Sequence, residues 1–261
     1  MNNQMRLRVP GSLPVSPTNY VQTPVTRRIR IAAETAIASG GIAAISGPAG
    51  VGKTTASAIV AAEFDTQVAY VGITSKQSPR QNFLSIWEAV TGIPGQGTAV
   101  NIQSDLVDHL MSYPTTMVID DAHQIQADGL RLLTGLWNQV RNAQTEGTPI
   151  ILVGNDLTRK LAVVPELVSR FRSQYVARYL RINEVLDILG HLEPRTKSID
   201  NQLLRDLDKA YFHGEIRQWA FFLEDLNKIA PGDPDAPFTG AHINEAIQRA
   251  GHKAIKRSRT K

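Results

Sequence analysis

Residues 47–54 read Gly47-Pro48-Ala49-Gly50-Val51-Gly52-Lys53-Thr54, and this stretch decides the fold. It follows the short apolar run of residues 41–46 and precedes a helical pattern over residues 53–64. A GxxxxGK[ST] sequence between a strand and a helix is typical of a phosphate-binding loop. Its glycines let backbone N–H groups turn toward phosphates at the helix N-terminus. We therefore predict that residues 47–54 and Thr55 bind ATP with Mg²⁺. Lys53 is predicted to face the β and γ phosphates, and the Thr54 hydroxyl is predicted to bind the metal ion.

Beyond this loop, strand patterns alternate with helix patterns. Further strands are predicted over residues 67–73, 115–119, 149–153 and 174–180, and helices over residues 79–91, 102–111 and 128–143. After Arg181 only helical patterns follow, over residues 183–193, 201–210, 215–229 and 239–250. Strands that alternate with helices indicate an α/β fold, a parallel sheet sandwiched by helices. The helical remainder predicts a small all-helical lid.

Composition and proline placement suggest four segments. Residues 1–24 contain four prolines among polar residues and are expected to form an extended arm. Residues 25–181 hold the nucleotide-binding domain and residues 182–251 the lid. Residues 252–261 contain five Lys or Arg and no acid, which predicts a basic tail that neutralises phosphates or is simply solvated.

Several classes of protein are disfavoured by composition. The chain of 261 residues has no cysteine, so disulfides and thiolate metal sites are excluded. No stretch approaches the roughly 18 apolar residues of a membrane-spanning helix. The N-terminus has no apolar signal-peptide region. The expectation is a cytoplasmic protein with no membrane partner.

A second motif lies in residues 116–121, where a hydrophobic strand ends in Asp120 and Asp121. A strand buried on both faces has little reason to end in two acids unless a cation is bound there. We predict that Asp120 holds Mg²⁺ together with Thr54, directly or through water. Asp121 is predicted to orient or deprotonate the attacking water. The alternative is that these acids only cap the following helix.

Two polar residues nearby are weaker candidates. Asn155 follows the apolar run of residues 150–153 and is predicted to reach the γ-phosphate or the water, although asparagine also favours turns. His123 follows the acid pair, and a lone histidine there is expected to be a structural hydrogen-bonding residue rather than a catalytic one.

With these motifs in view, the chain resembles the AAA+ ATPases. That resemblance implies an arginine before the last strand that reaches the nucleotide of an adjacent subunit. Arg170 fits this role best, and Arg172 is the alternative. It also implies that Arg217, in the segment Gly214-Glu215-Ile216-Arg217, is a lid arginine that senses the γ-phosphate. For each arginine, an ordinary surface position is the competing interpretation.

Within that superfamily, the chain is similar to the B transposition protein of phage Mu and its relatives, the target-selection ATPases of transposons. The segments that carry the resemblance are Tyr20-Val21-Gln22-Thr23, Ile73-Thr74, residues 118–123 and residues 214–217. The resemblance implies ATP-bound subunits that form a homo-oligomer, a helical filament or a ring, on DNA. It also implies recruitment of a transposase, and thus a regulator of transposition and DNA recombination.

Two departures from this family pattern are visible. The chain has a short arm where the Mu protein has an N-terminal helix-turn-helix domain. Asp121 stands where the superfamily usually has glutamate, so its carboxylate is one methylene shorter. We therefore expect slow ATP hydrolysis, suited to a timer rather than a motor.

DNA contacts are predicted from position alone. Lys76 and Arg80 follow the second strand and are candidates for the inner wall of a filament, although solvated loop charges are an equal alternative. Arg131 is a weaker candidate. Two other functions remain open, a secretion-associated ATPase similar to the ExeA group and an ATP switch that binds only protein.

Overall fold

A computed structural model of the chain describes residues 7–8, 21–143, 147–231 and 236–251. Tyr20, most of the predicted arm and the whole predicted tail lie outside these residues. Within the described residues, no helix is both long enough and apolar enough to cross a membrane.

Six parallel strands form one sheet. They are β1 (Leu7–Arg8), β2 (Ile42–Ser46), β3 (Val68–Gly72), β4 (Thr116–Asp120), β5 (Ile150–Val153) and β6 (Phe171–Val176). Their order across the sheet is β1-β3-β4-β5-β2-β6. Strand β2 lies between β5 and β6, so later strands of the chain pair with it on both sides. The loop that follows β2 therefore lies at the position where parallel α/β sheets bind ligands.

Eleven α-helices lie in the described residues. They are α1 (Pro24–Ser39), α2 (Lys53–Glu63), α3 (Pro79–Thr91), α4 (Ala99–Ser112), α5 (Ala127–Ala143), α6 (Leu157–Leu161), α7 (Pro165–Val168), α8 (Ile182–Leu192), α9 (Asn201–Leu207), α10 (Ile216–Ile229) and α11 (Gly240–Arg249). Short 3₁₀ turns cover Ala122–Gln124 and Pro194–Ser198, and a π-helical turn covers Asp208–Phe212.

By its contacts the chain divides into two units. The first contains the sheet, with Val25–Ala49 and Lys53–Ala177. Every residue of β2, β4 and β5 is buried, as expected for apolar strands covered on both faces. The predicted parallel sheet with flanking helices is therefore confirmed, and a helical region follows it.

The second unit contains Gly50–Gly52 and the described part of Arg178–Lys261. Its core is aromatic. The Trp219 ring centroid lies 4.4 Å from that of Phe212 and 5.8 Å from that of Phe222. These three side chains are buried, and such pairs add to the stabilisation that comes from burial of their area.

The bounds of several elements differ from their sequence prediction, and two of these differences have a clear physical cause. The last strand covers Phe171–Val176 rather than residues 174–180. It is an edge strand whose residues alternate in exposure, so it lacks the continuous apolar run by which buried strands are found. Helix α4 begins at Ala99 rather than near Ile102, because the Thr98 hydroxyl accepts a hydrogen bond from Asn101 N–H and caps the helix.

Candidate nucleotide-binding site

The phosphate loop joins the end of β2 to the start of α2. Gly50 has φ 78° and Gly52 has φ 89°, both in the left-handed region that favours glycine. A Cβ at Gly50 would overlap the Glu215 carboxylate, so the backbone there also needs the space that glycine leaves. The loop therefore has the turned backbone that its glycines predict, directly before a helix N-terminus.

Lys53 is the first residue of α2, and its side chain turns back over the loop. Its ammonium group donates to the carbonyl oxygens of Gly47 at 2.9 Å and Pro48 at 2.8 Å. It also donates to Asn155 Oδ1 at 2.8 Å. An ammonium has three N–H donors, so all three are directed at oxygen acceptors. A phosphate oxygen that binds Lys53 would take over one of these contacts.

Asp120 is the last residue of β4 and is only 5% exposed. Its Oδ2 accepts a hydrogen bond from the Tyr70 hydroxyl at 3.0 Å, and its Oδ1 accepts one from Asp121 N–H at 2.9 Å. Two donors thus hold the carboxylate at the strand end. Neither donor is a cation, so the negative charge of this buried carboxylate still requires a positive partner.

Tyr70 is a site residue that the sequence reasoning missed. It lies on β3, and its hydroxyl is 3.1 Å from Ser57 Oγ and 3.4 Å from the Thr54 carbonyl oxygen, which is an alternative acceptor for its single O–H. Burial raises the pKa of this hydroxyl, and the charge of Asp120 raises it further. The hydroxyl therefore remains a donor to Asp120 at physiological pH. The available signal was one tyrosine among small apolar residues, because a buried tyrosine hydroxyl needs a partner.

These residues fit a magnesium ion. The Tyr70 hydroxyl contacts both the Asp120 carboxylate and the Thr54 backbone, so these two residues lie near one another at the start of α2. Carboxylate, hydroxyl and phosphate oxygens are the ligands that Mg²⁺ prefers, usually with retained waters. Thr54 and Asp120 would hold the ion, which neutralises charge on the phosphates when bound.

Asp121 and Asn155 lie at the ends of adjacent strands. Asp121 follows β4 with φ 52°, an unusual backbone conformation for a residue other than glycine. Its side chain is 51% exposed, in contrast to buried Asp120. Asn155 follows β5, and its side chain reaches Lys53 as described above. Neighbouring strands thus bring residues 121 and 155 to one edge of the sheet.

The candidate arginines differ in their contacts. Arg170 donates from Nε to Asn138 Oδ1 at 3.0 Å and lies over the Trp137 ring, 5.8 Å from its centroid. Arg172 is exposed on edge strand β6. Arg131 is paired with Asp128 at 2.8 Å and lies 3.8 Å from Glu166.

In the second unit, Arg217 is exposed in the first turn of α10, and its backbone N–H donates to the Gly50 carbonyl at 3.2 Å. The turn before it is fixed by Asp208, which the sequence reasoning also missed. Asp208 Oδ1 accepts from Gly214 N–H at 2.8 Å and from Trp219 Nε1 at 2.9 Å. This buried acid follows α9 in a π-helical turn, a feature that is frequent at functional sites.

The predicted DNA contacts follow β3, with Lys76 in the loop before α3 and Arg80 in the first turn of α3. Lys76 and Arg80 are both exposed. Arg80 Nε donates to the Gly97 carbonyl oxygen at 2.7 Å, so this side chain also anchors the loop between α3 and α4. Ser78 caps α3 through a reciprocal pair of hydrogen bonds with Gln81. The helix therefore begins at a defined point between the two basic residues.

Fold and site together indicate the class of protein that this chain resembles, a P-loop nucleotide-binding protein with an AAA+ fold. A family model described as an AAA domain matches residues 37–161, which include the phosphate loop, both acids and Asn155. No curated protein matches the chain.

Solved structures resemble the chain over most of its length. Aeropyrum pernix ORC1, solved in complex with DNA, aligns with a TM-score of 0.68 at 17% identity, covering 91% of this chain and 68% of that one. Aeropyrum pernix ORC2, solved as ADPNP–ADP complexes, aligns with a TM-score of 0.63 at 18% identity, covering 88% and 70%. The Thermotoga maritima RuvB Holliday junction branch migration motor aligns at 0.55 and 17%, covering 86% and 68%. At these identities the likeness supports the fold.

Proposed function

We propose that this chain is an ATP-dependent, largely sequence-nonspecific DNA-binding ATPase that assembles on DNA and regulates transposition through target selection and transposase recruitment. One observation carries the DNA part. Lys76 and Arg80 are exposed just beyond the carboxyl end of β3, and the phosphate loop follows the carboxyl end of the parallel strand β2. A nucleotide at this edge of the sheet can therefore influence the segment that contacts DNA.

The comparisons support the coarser part of this proposal. ORC1 was solved in complex with DNA, and RuvB is described as a branch migration motor for Holliday junctions. The finer assignment to transposition rests on the resemblance of residues 20–23, 73–74, 118–123 and 214–217 to phage Mu B and its relatives. We also propose the four functional segments 1–24, 25–181, 182–251 and 252–261, namely arm, nucleotide domain, lid and basic tail.

In the proposed mechanism, Lys53 contacts the β and γ phosphates, and Thr54 and Asp120 would hold Mg²⁺. Asp121 orients the attacking water, Asn155 lies beside the γ-phosphate, and Arg217 senses it. Lys53→Ala should abolish ATP binding, measured with a fluorescent ATP analogue. Asp121→Asn should retain binding and lose turnover. Normal ATP affinity in the Lys53 variant would contradict the phosphate-loop assignment.

Slow hydrolysis follows from the length of Asp121 in this proposal. A carboxylate one methylene shorter than glutamate lies farther from a water at the γ-phosphate. Asp121→Glu should therefore raise kcat several-fold without changing ATP affinity, because general-base efficiency depends on hydrogen-bonding reach. A lower kcat in Asp121→Glu would show that the site is built for the shorter acid.

Assembly is proposed to depend on an arginine that crosses to a neighbouring subunit. Arg170 is the first candidate. The contacts of its guanidinium with Asn138 and Trp137 orient this side chain, directly before β6. Arg170→Ala should keep ATP binding and lower hydrolysis and assembly. Mixing it with Lys53→Ala protein restores one intact interface and should recover part of the activity. Full activity of Arg170→Ala in filaments would point to Arg172.

The DNA proposal is tested by fluorescence anisotropy with a duplex of arbitrary sequence, with a slowly hydrolysed ATP analogue and with ADP. Binding should require the ATP analogue. The logarithm of affinity should fall linearly with the logarithm of salt concentration, with a slope of about −0.9 per phosphate contact. Lys76→Ala with Arg80→Ala should nearly eliminate binding and flatten the slope. Removing residues 252–261 should reduce affinity only modestly.

Two controls make this test specific. Lys197→Ala with Lys209→Ala removes the same charge from exposed positions of the second unit and should leave the slope unchanged. Arg80→Lys keeps the charge but loses the Nε bond to Gly97, so it separates phosphate contact from loop anchoring. Absence of salt-sensitive DNA binding with every nucleotide would reject the transposition proposal in favour of a switch that binds protein. Electron micrographs should show filaments or rings, and a purified transposase should bind them.

A further inference from the structure

His123 lies in the 3₁₀ turn after β4, and the proposed function gives it no role. Its Nδ1 accepts a hydrogen bond from the backbone N–H of Asn155 at 3.2 Å. The same nitrogen lies 3.7 Å from Asp121 Oδ1. One ring nitrogen therefore lies between the two residues that follow β4 and β5.

The protonation of the ring follows from these contacts. Nδ1 accepts a hydrogen bond from Asn155 N–H, so it carries a lone pair, and the proton of the neutral ring is on Nε2. Nε2 lies 3.2 Å from the side-chain nitrogen of Gln124. A half-turn of that amide places its oxygen there as an acceptor, and oxygen and nitrogen of an amide are assigned by such networks. Asp121 is thus close to the ring without receiving a hydrogen from Nδ1.

Packing holds the ring in this position. A Cβ at Gly154 would lie 3.0 Å from His123 Nδ1 and 3.1 Å from its backbone nitrogen. The end of β5 therefore approaches the turn after β4 as closely as a glycine allows. The side chain of His123 is 21% exposed, so the ring lies mostly inside the protein.

The contact continues to the phosphate loop. Asn155, whose backbone His123 holds, accepts a hydrogen bond from Lys53 Nζ through its side chain at 2.8 Å. Lys53 also has the Gly47 and Pro48 carbonyls as partners, so its position does not depend on Asn155 alone. A shift of Asn155 would therefore disturb the γ-phosphate end of the site more than the binding of the nucleotide.

We infer that His123 is a positioning residue for hydrolysis. Its Nδ1 fixes the backbone of Asn155 relative to Asp121. It therefore keeps Asp121, which orients the water, at a constant distance from Asn155, which lies beside the γ-phosphate. The inference rests on the proposed roles of these two residues. It concerns kcat and not ATP affinity, because His123 contacts neither the phosphate loop nor Lys53 directly in the described structure.

Three substitutions test which atom matters. His123→Asn places an amide oxygen at the same number of bonds from the backbone as Nδ1, whereas His123→Gln places it near the position of Nε2. His123→Ala removes both. We expect kcat to fall roughly tenfold to a hundredfold in the Ala and Gln variants, because a misplacement of about 1 Å costs that much. The Asn variant should keep kcat within about threefold of the wild type, and all three should bind the ATP analogue normally.

A second measurement does not depend on turnover. Nitrogen NMR of histidine-labelled protein, with His123 assigned by its loss in His123→Asn, should show a proton on Nε2 and a bare Nδ1. A proton on Nδ1 would overturn the inference whatever the kinetics. So would unchanged kcat in His123→Ala, or an Asn variant no better than Ala. Full turnover in Asp121→Asn, measured in parallel, would instead count against the proposed role of Asp121 and leave the hydrogen bond to be judged by NMR.

Discussion

Asp120 and Asp208 are both buried carboxylates, one in each unit, and their hydrogen bonds differ. Asp120 uses both oxygens, one for the Tyr70 hydroxyl and one for Asp121 N–H. Asp208 uses a single oxygen for both Gly214 N–H and Trp219 Nε1. The first acid ends a strand beside the phosphate loop, and the second closes a turn within the helical unit.

This difference shows which property of each acid matters, the negative charge of Asp120 and the hydrogen-bond acceptor of Asp208. At Asp120 the negative charge is what a bound cation would use, and the two donors only orient it. At Asp208 one oxygen acceptor does the whole task, so an amide oxygen in the same place would serve. Burial by itself therefore does not identify a functional acid, whereas the surroundings of each oxygen do.

The largest effect is expected for Asp120→Asn. In the proposed mechanism Asp120 would hold Mg²⁺, so loss of its charge should lower kcat by about a thousandfold, in the range for removal of an electrostatic group from a catalytic site. The fold should survive, since the Tyr70 hydroxyl can donate to the Thr54 carbonyl instead. ATPase assays and urea unfolding test both points. Asp208→Asn is the matched control and should change neither kcat nor the unfolding free energy much. Equal losses of kcat in the two variants would contradict the contrast between the two acids.

Asp208→Ala should cost about 3 kcal/mol of unfolding free energy. It leaves two buried donors, Gly214 N–H and Trp219 Nε1, without their acceptor, and each such loss costs about 1–3 kcal/mol. Urea unfolding followed by tryptophan fluorescence measures this. Stability equal to that of the wild type would show that Asp208 is dispensable for the turn, contrary to the proposed contrast.

Trp219→Phe should cost less, about 1.5 kcal/mol. The aromatic contacts with Phe212 and Phe222 are largely kept, while the donor to Asp208 is lost. The same urea titration measures it. In an Asp208→Ala background the substitution should cost less than it does alone, because the hydrogen bond is already absent. Additive costs would mean that packing rather than this bond accounts for the effect.

Tyr70→Phe should have the smallest effect. Asp120 keeps its bond from Asp121 N–H, so kcat should fall only several-fold and unfolding free energy by about 1 kcal/mol. The more informative measurement is the Mg²⁺ concentration for half-maximal binding of the ATP analogue, which should rise because the carboxylate is less well oriented. A loss as large as that of Asp120→Asn would mean that Tyr70 acts directly on the nucleotide.

The helices and buried strands near the motifs were predicted well because their signals are local. Helix α3 has its predicted bounds, with a serine cap and a proline in its first turn. Edge strand β6 was misplaced because it alternates in exposure and lacks an apolar run. Helices α6 and α7, with 5 and 4 residues, are too short to show a helical period and were missed.

The phosphate loop and the acid pair could be proposed as site residues from the sequence alone, because each is a short run of residues whose chemistry depends on adjacent positions. The hydrogen bonds that orient them could not be. Tyr70 reaches Asp120 across 50 positions of the chain, and His123 reaches Asn155 across 32. Such partners meet only when neighbouring strands are paired in register, so a single buried tyrosine or histidine has no sequence pattern that names its partner. The residue types at the site were therefore determined by the sequence, and the tertiary structure decided which atoms hold them in place.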